Sequence, residues 1–169
     1  MATPDMQERF AQLVDDHKKI VYKVCTSYCR NRGDRDDLAQ EIIIQLWRSF
    51  PSFDDRVSFS TWMYRVALNV AISFYRREAT RAKHLAPADE RLLEIAHAPD
   101  DESPGLEMLH RYIDDLDPMN KALALLYLDD YSHREIASVL GLSETNVATK
   151  IHRLKSSMKT SFAKVGMTR

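Results

Sequence analysis

Apolar residues recur at intervals of three and four positions along most of the chain, the period with which an α-helix buries one face. The first such stripe runs from Phe10 to Tyr28 and predicts a single long helix that begins at Thr3-Pro4. The segment 31–33, Asn-Arg-Gly, is expected to stop this helix. The start of the chain is therefore predicted to be one amphipathic helix.

The same period predicts two further helices. The second is expected to begin at Asp34 or Asp36 and to end near Ser49, because Pro51 follows. The third is expected from about residue 60 to residue 77. The predicted buried positions are Leu38, Ile42 and Leu46 in the second helix and Met63, Val66, Ala67, Val70 and Phe74 in the third.

The period weakens between about residues 79 and 104, a stretch that holds three of the six prolines and many acids. Such a segment buries too little apolar surface to offset the entropy lost on ordering. The helical pattern resumes at about Leu106 and continues to about Val165. The sequence therefore predicts an all-α chain of two small helical domains, 1–80 and 105–169, joined by a flexible acidic linker, 81–104.

The second domain carries the pattern of a helix-turn-helix. Ser132 and Glu135 have capping-box spacing, and Gly141 can adopt the left-handed conformation that the turn needs. Ser143 is the expected cap of the next helix, which Val147 anchors inward. Side chains on the opposite side would reach bases and phosphates in a major groove, unless the pattern is a hairpin of some unrelated bundle. They are Thr145, Thr149, His152 and Arg153, with Asn146 and Lys150 on the rim.

The third helix carries Trp62, Arg65, Asn69 and Arg76 away from its predicted stripe. Aromatic and Arg side chains stack on unpaired bases and Asn hydrogen-bonds a base edge, so this face suits single-stranded nucleic acid. The alternative is that Trp62 packs against the neighbouring helix. The second helix has an acidic, partly apolar surface on the side away from its core. This surface suits contact with a protein partner, and the alternative is that it is simply solvated. Its members are Asp37, Gln40, Glu41 and Ile44.

Charge is unevenly distributed, although 24 Lys and Arg nearly balance 25 Asp and Glu. Residues 145–169 hold six basic side chains and no acid, and residues 56–83 hold six against Glu78 alone. The stretch between these patches is acidic. Two basic patches joined by an acidic segment indicate two contacts with a polyanion, although two solvated helix faces would give the same pattern.

Several function classes are excluded or disfavoured by composition. The longest apolar run, 122–128, is too short to span a bilayer, and the N-terminus lacks the pattern of a secretory signal, so a soluble cytoplasmic protein is expected. No Gly-rich phosphate loop occurs, and no nucleophile has recognisable partners, so neither an enzyme nor a cofactor is expected. His17, Cys25 and Cys29 share one side of a helix, but their surroundings are apolar and a fourth ligand is lacking, so no metal is expected.

Taken together, these motifs resemble the extracytoplasmic-function (ECF) class of bacterial sigma factors, in the sigma-70 family. Segment 37–48, with Asp-Leu-Ala-Gln-Glu and Leu-Trp-Arg, looks like the first half of region two. Segment 59–69, Phe-Ser-Thr-Trp-Met-Tyr-Arg-Val-Ala-Leu-Asn, followed by Arg76-Arg77, looks like the family's promoter-melting helix. Segments 116–118 and 131–155 look like region four. The two motif sets occur in the family's order.

The resemblance implies a protein that directs core RNA polymerase to promoters and melts them, usually under the control of an anti-sigma factor. Region four would sit on the polymerase β flap and recognise the minus-thirty-five element, and the loop 53–58 would hold a flipped base. The implied minus-ten contacts are Phe53, Asp54, Asp55, Arg56, Trp62, Arg65, Asn69, Arg76 and Arg77. The implied contacts with the β′ clamp helices are Asp37, Gln40, Glu41 and Ile44, and the implied minus-thirty-five contacts are Thr145, Asn146, Ala148, Thr149, Lys150, His152 and Arg153.

The sequence departs from the family pattern in three places. Its loop, Phe-Asp-Asp-Arg-Val-Ser, lacks the basic residue and glycine that often follow the Phe, and Ala148 stands where many members carry Lys or Arg. Ser73 stands near the position of an Asp that often follows the Asn motif. An ordinary helix-turn-helix regulator with an N-terminal sensing or dimerisation domain is the alternative, and the exposed face of the third helix distinguishes the two.

Overall fold

The computed structural model of the chain describes residues 2–84 and 103–166. All regular structure in these ranges is helical, which confirms the predicted all-α class. The chain divides into two compact units, Met1–Glu94 and Ile95–Arg169, called below the N-terminal and C-terminal units. The described helices are α1 (Pro4–Asp16), α2 (Lys18–Tyr28), α3 (Arg32–Ser49), α4 (Phe59–His84), α5 (Pro104–Asp114), α6 (Pro118–Leu128), α7 (His133–Leu140) and α8 (Glu144–Gly166), with a 3-10 turn at Phe50–Ser52.

The single long helix predicted at the start of the chain is wrong, because the chain breaks at His17 into α1 and α2. The His17 backbone leaves the helical region, with φ −118° and ψ 15°. Asp15 and Asp16 lie in the last turn of α1, where the helix dipole disfavours carboxylates, whereas the same charges favour the start of α2. The apolar period continues across the break, so hydrophobic spacing alone does not reveal it.

The segment 31–33 starts a helix instead of stopping one. α2 already ends at Tyr28, because Cys29 is extended, with φ −127° and ψ 134°. The Asn31 side-chain oxygen then accepts a hydrogen bond from the Asp34 backbone N–H at 2.8 Å, so Asn31 is the N-cap of α3. Asn and Gly occur at both ends of helices, and tertiary packing decided between the two roles here.

The N-terminal unit is built on the mutual packing of α2, α3 and α4. The predicted stripe Leu38, Ile42 and Leu46 of α3 is confirmed, since all three side chains are fully buried. α4 extends past the predicted end at residue 77, so residues 81–84 of the predicted linker are helical. The predicted linker residues 85–102 lie outside the described part of the chain.

The C-terminal unit has the predicted helix-turn-helix. Ser132 and Glu135 form a capping box with both hydrogen bonds present, and Gly141 adopts the left-handed conformation at φ 69°. α7 buries Ile136, Ala137 and Val139, whereas Leu140, which helical spacing from Ile136 and Ala137 would also bury, is half-buried. After Gly141, the first two helical turns of α8 are anchored in the core by buried Val147 and Ile151.

Candidate nucleic-acid and polymerase surfaces

α8 presents its predicted recognition residues to solvent. The helix is capped by Ser143, whose hydroxyl accepts from the Asn146 backbone N–H at 3.1 Å. No acid follows Glu144 in the helix. The recognition helix of a helix-turn-helix enters the major groove with its first turns, and these are the turns that carry the predicted residues. Thr145, Asn146, Ala148, Thr149, His152 and Arg153 are exposed, and Lys150 is half-buried.

A second surface of the C-terminal unit is apolar. α5, α6 and α8 surround a pocket of about 50 Å³ whose lining includes Leu109, Tyr112, Leu128 and Met158. Leu128 is 46% exposed at its edge. The Tyr112 hydroxyl donates to the Leu154 carbonyl oxygen at 3.1 Å, which ties α5 to α8 beneath it. Exposed apolar surface next to a shallow pocket is typical of a protein contact.

In the N-terminal unit, Trp62 is buried and does not belong to an exposed stacking face. Only 8% of its surface is accessible, and its ring centre lies 5.1 Å from that of Phe53 and 5.4 Å from that of Phe59. The alternative, that Trp62 packs against the neighbouring helix, is correct in that the side chain is buried, but the ring contacts come from the 3-10 turn, the following loop and the start of α4 itself. Trp62 is part of an aromatic cluster that consists of Phe10, Trp47, Phe50, Phe53, Phe59 and Trp62.

The predicted base-flipping loop, residues 53–58, is anchored to the aromatic cluster through its first residue, Phe53. The half-buried Phe53 ring packs on Phe50, Phe59 and Trp62, so the start of the loop is fixed by the core. Asp55 has a left-handed backbone, with φ 62°, and residues 54–56 are exposed. Loop geometry thus depends on side chains from the end of α3 and the start of α4.

Both carboxylates of this loop are paired with cations. Arg9 of α1 lies 3.2 Å from Asp55, and Arg56 lies 2.9 Å from Asp54. The Arg9 guanidinium also lies 5.7 Å from the Phe50 ring centre. These pairs are exposed and contribute little stability. Their importance is electrostatic, because they neutralise two negative charges on a loop predicted to approach DNA.

The exposed side of α4 differs from the predicted one. Asn69 and Arg76 are exposed as expected, and Arg65 is half-buried. Val66 and Val70, predicted to be buried, are half-buried and face a groove between α3 and α4. Residues on one side of α4 line this groove together with Glu41 and Gln45 of α3. The α4 residues are Val66, Asn69, Val70, Ser73 and Arg77.

The predicted protein-contact surface of α3 lies largely open. Asp37 and Gln40 are exposed, and Ile44 is 49% exposed, which is unusual for a large apolar side chain. Glu41 is half-buried, and its carboxylate accepts a hydrogen bond from Arg77 of α4 at 2.6 Å. This ion pair joins the predicted polymerase surface to the predicted DNA surface.

The two cysteines are buried in the N-terminal unit. Burial raises the pKa of the Cys25 thiol to about 11 and that of the Cys29 thiol to about 12, with the Asp34 carboxylate adding to the rise at Cys29. Both are therefore protonated at neutral pH, a state that binds metal and attacks electrophiles poorly. His17 is engaged elsewhere, since its Nδ1 donates to the Leu13 carbonyl oxygen at 2.8 Å and its ring packs on Phe59.

Sequence reasoning missed three contributors to these surfaces. Arg9 pairs with a loop 46 positions later, and no local pattern signals such a contact. Phe50 directly precedes Pro51 and was not among the predicted buried residues. Gln45 was missed although the sequence held a signal for it. It lies four residues after Glu41, and this i, i+4 spacing places both side chains on one face of the helix.

Comparison with known proteins identifies the family. Residues 13–81 match the family profile of Sigma-70 region 2, and residues 106–158 match that of Sigma-70 region 4. The first range covers most of the described N-terminal unit, and the second covers α5 to the middle of α8. The match of the first range decides against a ligand-sensing or dimerisation domain in the N-terminal unit. In the described ranges, no helix is both long and apolar enough to cross a membrane.

Individual relatives agree with this result. The chain is 27% identical over 167 residues to the ECF RNA polymerase sigma factor SigW of Bacillus subtilis, covering 90% of this chain and 88% of SigW. It is 26% identical over 163 residues to the RNA polymerase sigma factor CnrH of Cupriavidus metallidurans, covering 90% and 85%.

Two solved structures share the fold. CnrH in complex with the cytosolic domain of CnrY superposes with a TM-score of 0.66 at 24% identity, covering 94% of this chain and 90% of that one. RpoE of Bartonella quintana, in complex with the anti-sigma factor NepR, superposes with a TM-score of 0.68 at 15% identity, covering 95% and 98%. With both sigma-70 regions matched in order on two separate units, the chain belongs to the ECF sigma factors of the sigma-70 family.

Proposed function

We propose that the two units divide promoter recognition between them. α8 recognises the minus-thirty-five element as duplex through the exposed residues of its first turns. The N-terminal unit binds the minus-ten element through the loop 53–58 and the exposed side of α4. Asp37, Gln40 and Ile44 of α3 contact the β′ clamp helices of polymerase, and the apolar pocket of the C-terminal unit contacts the β flap.

The observation that carries this proposal is the juxtaposition of two unlike surfaces in the N-terminal unit. The exposed side of α4 bears Asn69, Arg76 and Arg77, groups that bind bases and phosphates. The neighbouring α3 bears exposed Asp37, whose charge repels DNA, and half-exposed Ile44, whose apolar surface suits a protein. A protein that holds DNA against a polymerase needs both kinds of surface side by side, whereas a simple operator-binding protein does not.

We also propose how the two units are connected, where the protein acts and how its activity is controlled. Residues 85–102 act as the linker, and the protein works as a non-catalytic subunit in the cytoplasm, where bacterial polymerase is found. An anti-sigma factor holds it inactive. Support for that control comes from the structural relatives, since RpoE was solved with the anti-sigma factor NepR and CnrH with the cytosolic domain of CnrY.

Transcription with purified bacterial core polymerase tests the proposal, using DNA from upstream of the protein's own gene as the first template. We expect specific initiation that requires the protein. Asn69→Ala should keep the fold and co-elute with polymerase but fail to form an open complex, measured by permanganate reactivity of unpaired thymines. Gln12→Ala, which removes an exposed amide from α1 outside all proposed surfaces, is the matched control.

Two results would contradict the proposal. Promoter melting by Asn69→Ala at the wild-type level would show that α4 does not contact the minus-ten element. Tight and specific binding of the free protein to the duplex, with no initiation by polymerase, would show that the protein recognises DNA alone, as an ordinary regulator does.

A further inference from the structure

One ion pair connects the two unlike surfaces of the N-terminal unit. Arg77 of α4 donates to the Glu41 carboxylate of α3 at 2.6 Å, across 36 positions of the chain. The Arg77 side chain is 61% exposed and that of Glu41 is 40% exposed. An outside group therefore reaches either partner of the pair without unfolding the unit.

Arg77 is held on the side of α4 that faces α3. Its guanidinium lies 5.6 Å from the ring centre of buried Phe74, and its side chain lines the groove between the two helices together with Glu41. Arg76, the residue before it, is exposed and forms no ion pair with any residue in 2–84 or 103–166. The two neighbouring arginines therefore differ, because Arg76 is open to a phosphate and Arg77 is occupied.

The pair lowers the attraction of Arg77 for DNA. A guanidinium and a carboxylate in contact have no net charge together, and a phosphate that approaches Arg77 is repelled by the nearby Glu41. Arg77 binds a phosphate fully only after its contact with Glu41 is broken. Exposed ion pairs are weak, so this restraint is reversible and costs a factor of no more than about five in affinity.

Glu41 belongs at the same time to the acidic surface of α3. Asp37 lies four residues before it and Ile44 three residues after it, spacings that place the three side chains on one side of the helix. An acidic surface is complementary to a cationic surface on its partner. A partner cation that reaches Glu41 weakens its hold on Arg77, because two cations at one carboxylate repel each other.

We propose that Glu41 is a positioning residue for Arg77. In the free protein it withholds this arginine from DNA, and polymerase, by placing a cation on Glu41, releases Arg77 to a phosphate of the promoter. The proposal rests on the function proposed above. It gives a physical reason for weak DNA binding by the protein until polymerase holds it. Linkage makes the effect reciprocal, so DNA that draws Arg77 away leaves Glu41 free for polymerase.

The salt dependence of DNA binding by the free, full-length protein tests the restraint. The probe is a labelled oligothymidine of about 20 nucleotides, which offers several contacts to a single-strand-binding surface. Fluorescence anisotropy gives its Kd between about 50 and 200 mM salt. Glu41→Gln removes the charge and keeps the side-chain length, so binding should tighten about two- to fivefold. The slope of log K against log salt should steepen by about 0.7, the value for one phosphate contact on a single strand.

Two further variants separate the ion pair from a change in net charge. Asp36→Asn removes the same charge from an exposed position of α3 outside the pair, so it should leave the slope unchanged. In an Arg77→Gln protein, the added change Glu41→Gln should do no more than Asp36→Asn does, because no arginine remains to be released. Thermal melting by circular dichroism shows that each variant folds.

The release step is tested with core polymerase at saturating concentration, on DNA from upstream of the protein's own gene. Wild type and Glu41→Gln should then bind with the same salt slope, because polymerase has already freed Arg77 in the wild type. Equal slopes in holoenzyme and unequal slopes in the free protein are the combined result that the proposal requires.

Three results would overturn the proposal. A free Glu41→Gln protein with the wild-type slope would show that the pair does not restrain Arg77. A steeper slope for Glu41→Gln that persists in holoenzyme would show that polymerase does not release it. If no template supports initiation, the sigma function fails and the release step fails with it. That failure is distinguishable, because the slopes of the free protein are measured without polymerase.

Discussion

The two units present their DNA-contacting side chains in different ways. In the C-terminal unit, every proposed base contact lies on nine consecutive residues of α8, and all are exposed except half-buried Lys150. In the N-terminal unit, the proposed contacts come from α4 and the loop that precedes it, and one residue chosen from the sequence, Trp62, is buried in the aromatic cluster. One surface is local in the sequence and the other is assembled by tertiary packing.

Mutation should therefore affect the two units differently. Side chains of α8 that are proposed to contact DNA point away from the core of their unit, so their removal should change DNA binding without changing stability. In the N-terminal unit, the loop 53–58 starts at Phe53, whose ring is a member of the aromatic cluster. Stability and DNA binding should therefore be coupled in the N-terminal unit and separable in the C-terminal unit.

The largest expected effect is that of Trp62→Ala. Loss of a buried Trp side chain leaves a cavity and should lower the free energy of unfolding of the N-terminal unit by about 3–5 kcal/mol. Trp47, also in that unit, reports urea denaturation by fluorescence in the variant. His152→Ala on α8 is the contrasting change and should shift stability by less than about 0.5 kcal/mol. A Trp62→Ala protein with wild-type stability and impaired promoter melting would mean that the indole acts on DNA directly.

Alkaline pH should destabilise the N-terminal unit next. The folded-state pKa values of Cys25 and Cys29 are raised by burial to about 11 and about 12, from 9.0 for a thiol free in water. Their contribution is fully present below pH 9 and is lost as the pH rises toward these values, because the unfolded chain loses the protons first. The slope is about 1.4 kcal/mol per pH unit for each thiol.

The measurement is urea denaturation followed by tryptophan fluorescence at pH 8 to 10. A Cys25→Ala, Cys29→Ala double variant isolates the thiols from lysine and tyrosine titration and should flatten the curve. The C-terminal unit has no cysteine, so its stability should be the same in the variant as in the wild type. An unchanged pH slope in the double variant would show that the thiols are not the source.

In the C-terminal unit, Gly141→Ala should cost about 1–2 kcal/mol, because φ is 69° and a Cβ disfavours this conformation. Gly105→Ala is a matched control, since a Cβ at either position meets no atom within 4 Å and Gly105 lies within helix α5 without a positive φ. Far-UV circular dichroism and hydrogen exchange of α7 and α8 measure the stability of the two variants. Equal effects of the two substitutions would mean that the turn does not need its left-handed residue.

The smallest effect is expected for Arg9→Ala, which removes the partner of Asp55. The ion pair is exposed, so stability should fall by no more than about 1 kcal/mol. Promoter affinity of holoenzyme should fall at low salt, because the loop gains negative charge, and the difference should shrink as salt increases. Lys18→Ala breaks a comparable pair with Asp15 away from the loop and should leave affinity unchanged. Equal affinities of Arg9→Ala and wild type at low salt would contradict this role.

The sequence predicted the C-terminal unit more fully than the N-terminal unit. The capping box, the left-handed Gly141 and the exposed face of α8 all depend on contacts within a few residues, and local patterns encode these directly. The predicted α3 stripe was also correct. The break at His17, the start of α3 at Asn31 and the burial of Trp62 depend on contacts between helices, which a periodic pattern does not specify.

By itself, the sequence determined the helical class, the two-part organisation and the family. Helix periods, caps and contiguous motifs depend on residues that are close together in the sequence. Tertiary structure decided which side of α4 is open. It also paired Glu41 with Arg77 and Arg9 with Asp55, and it brought Gln45 beside Asn69. The physical reason is the rotation of each helix about its axis. Packing fixes that rotation through the fit of large side chains such as Trp62, and hydrophobic spacing determines it only to within about one position.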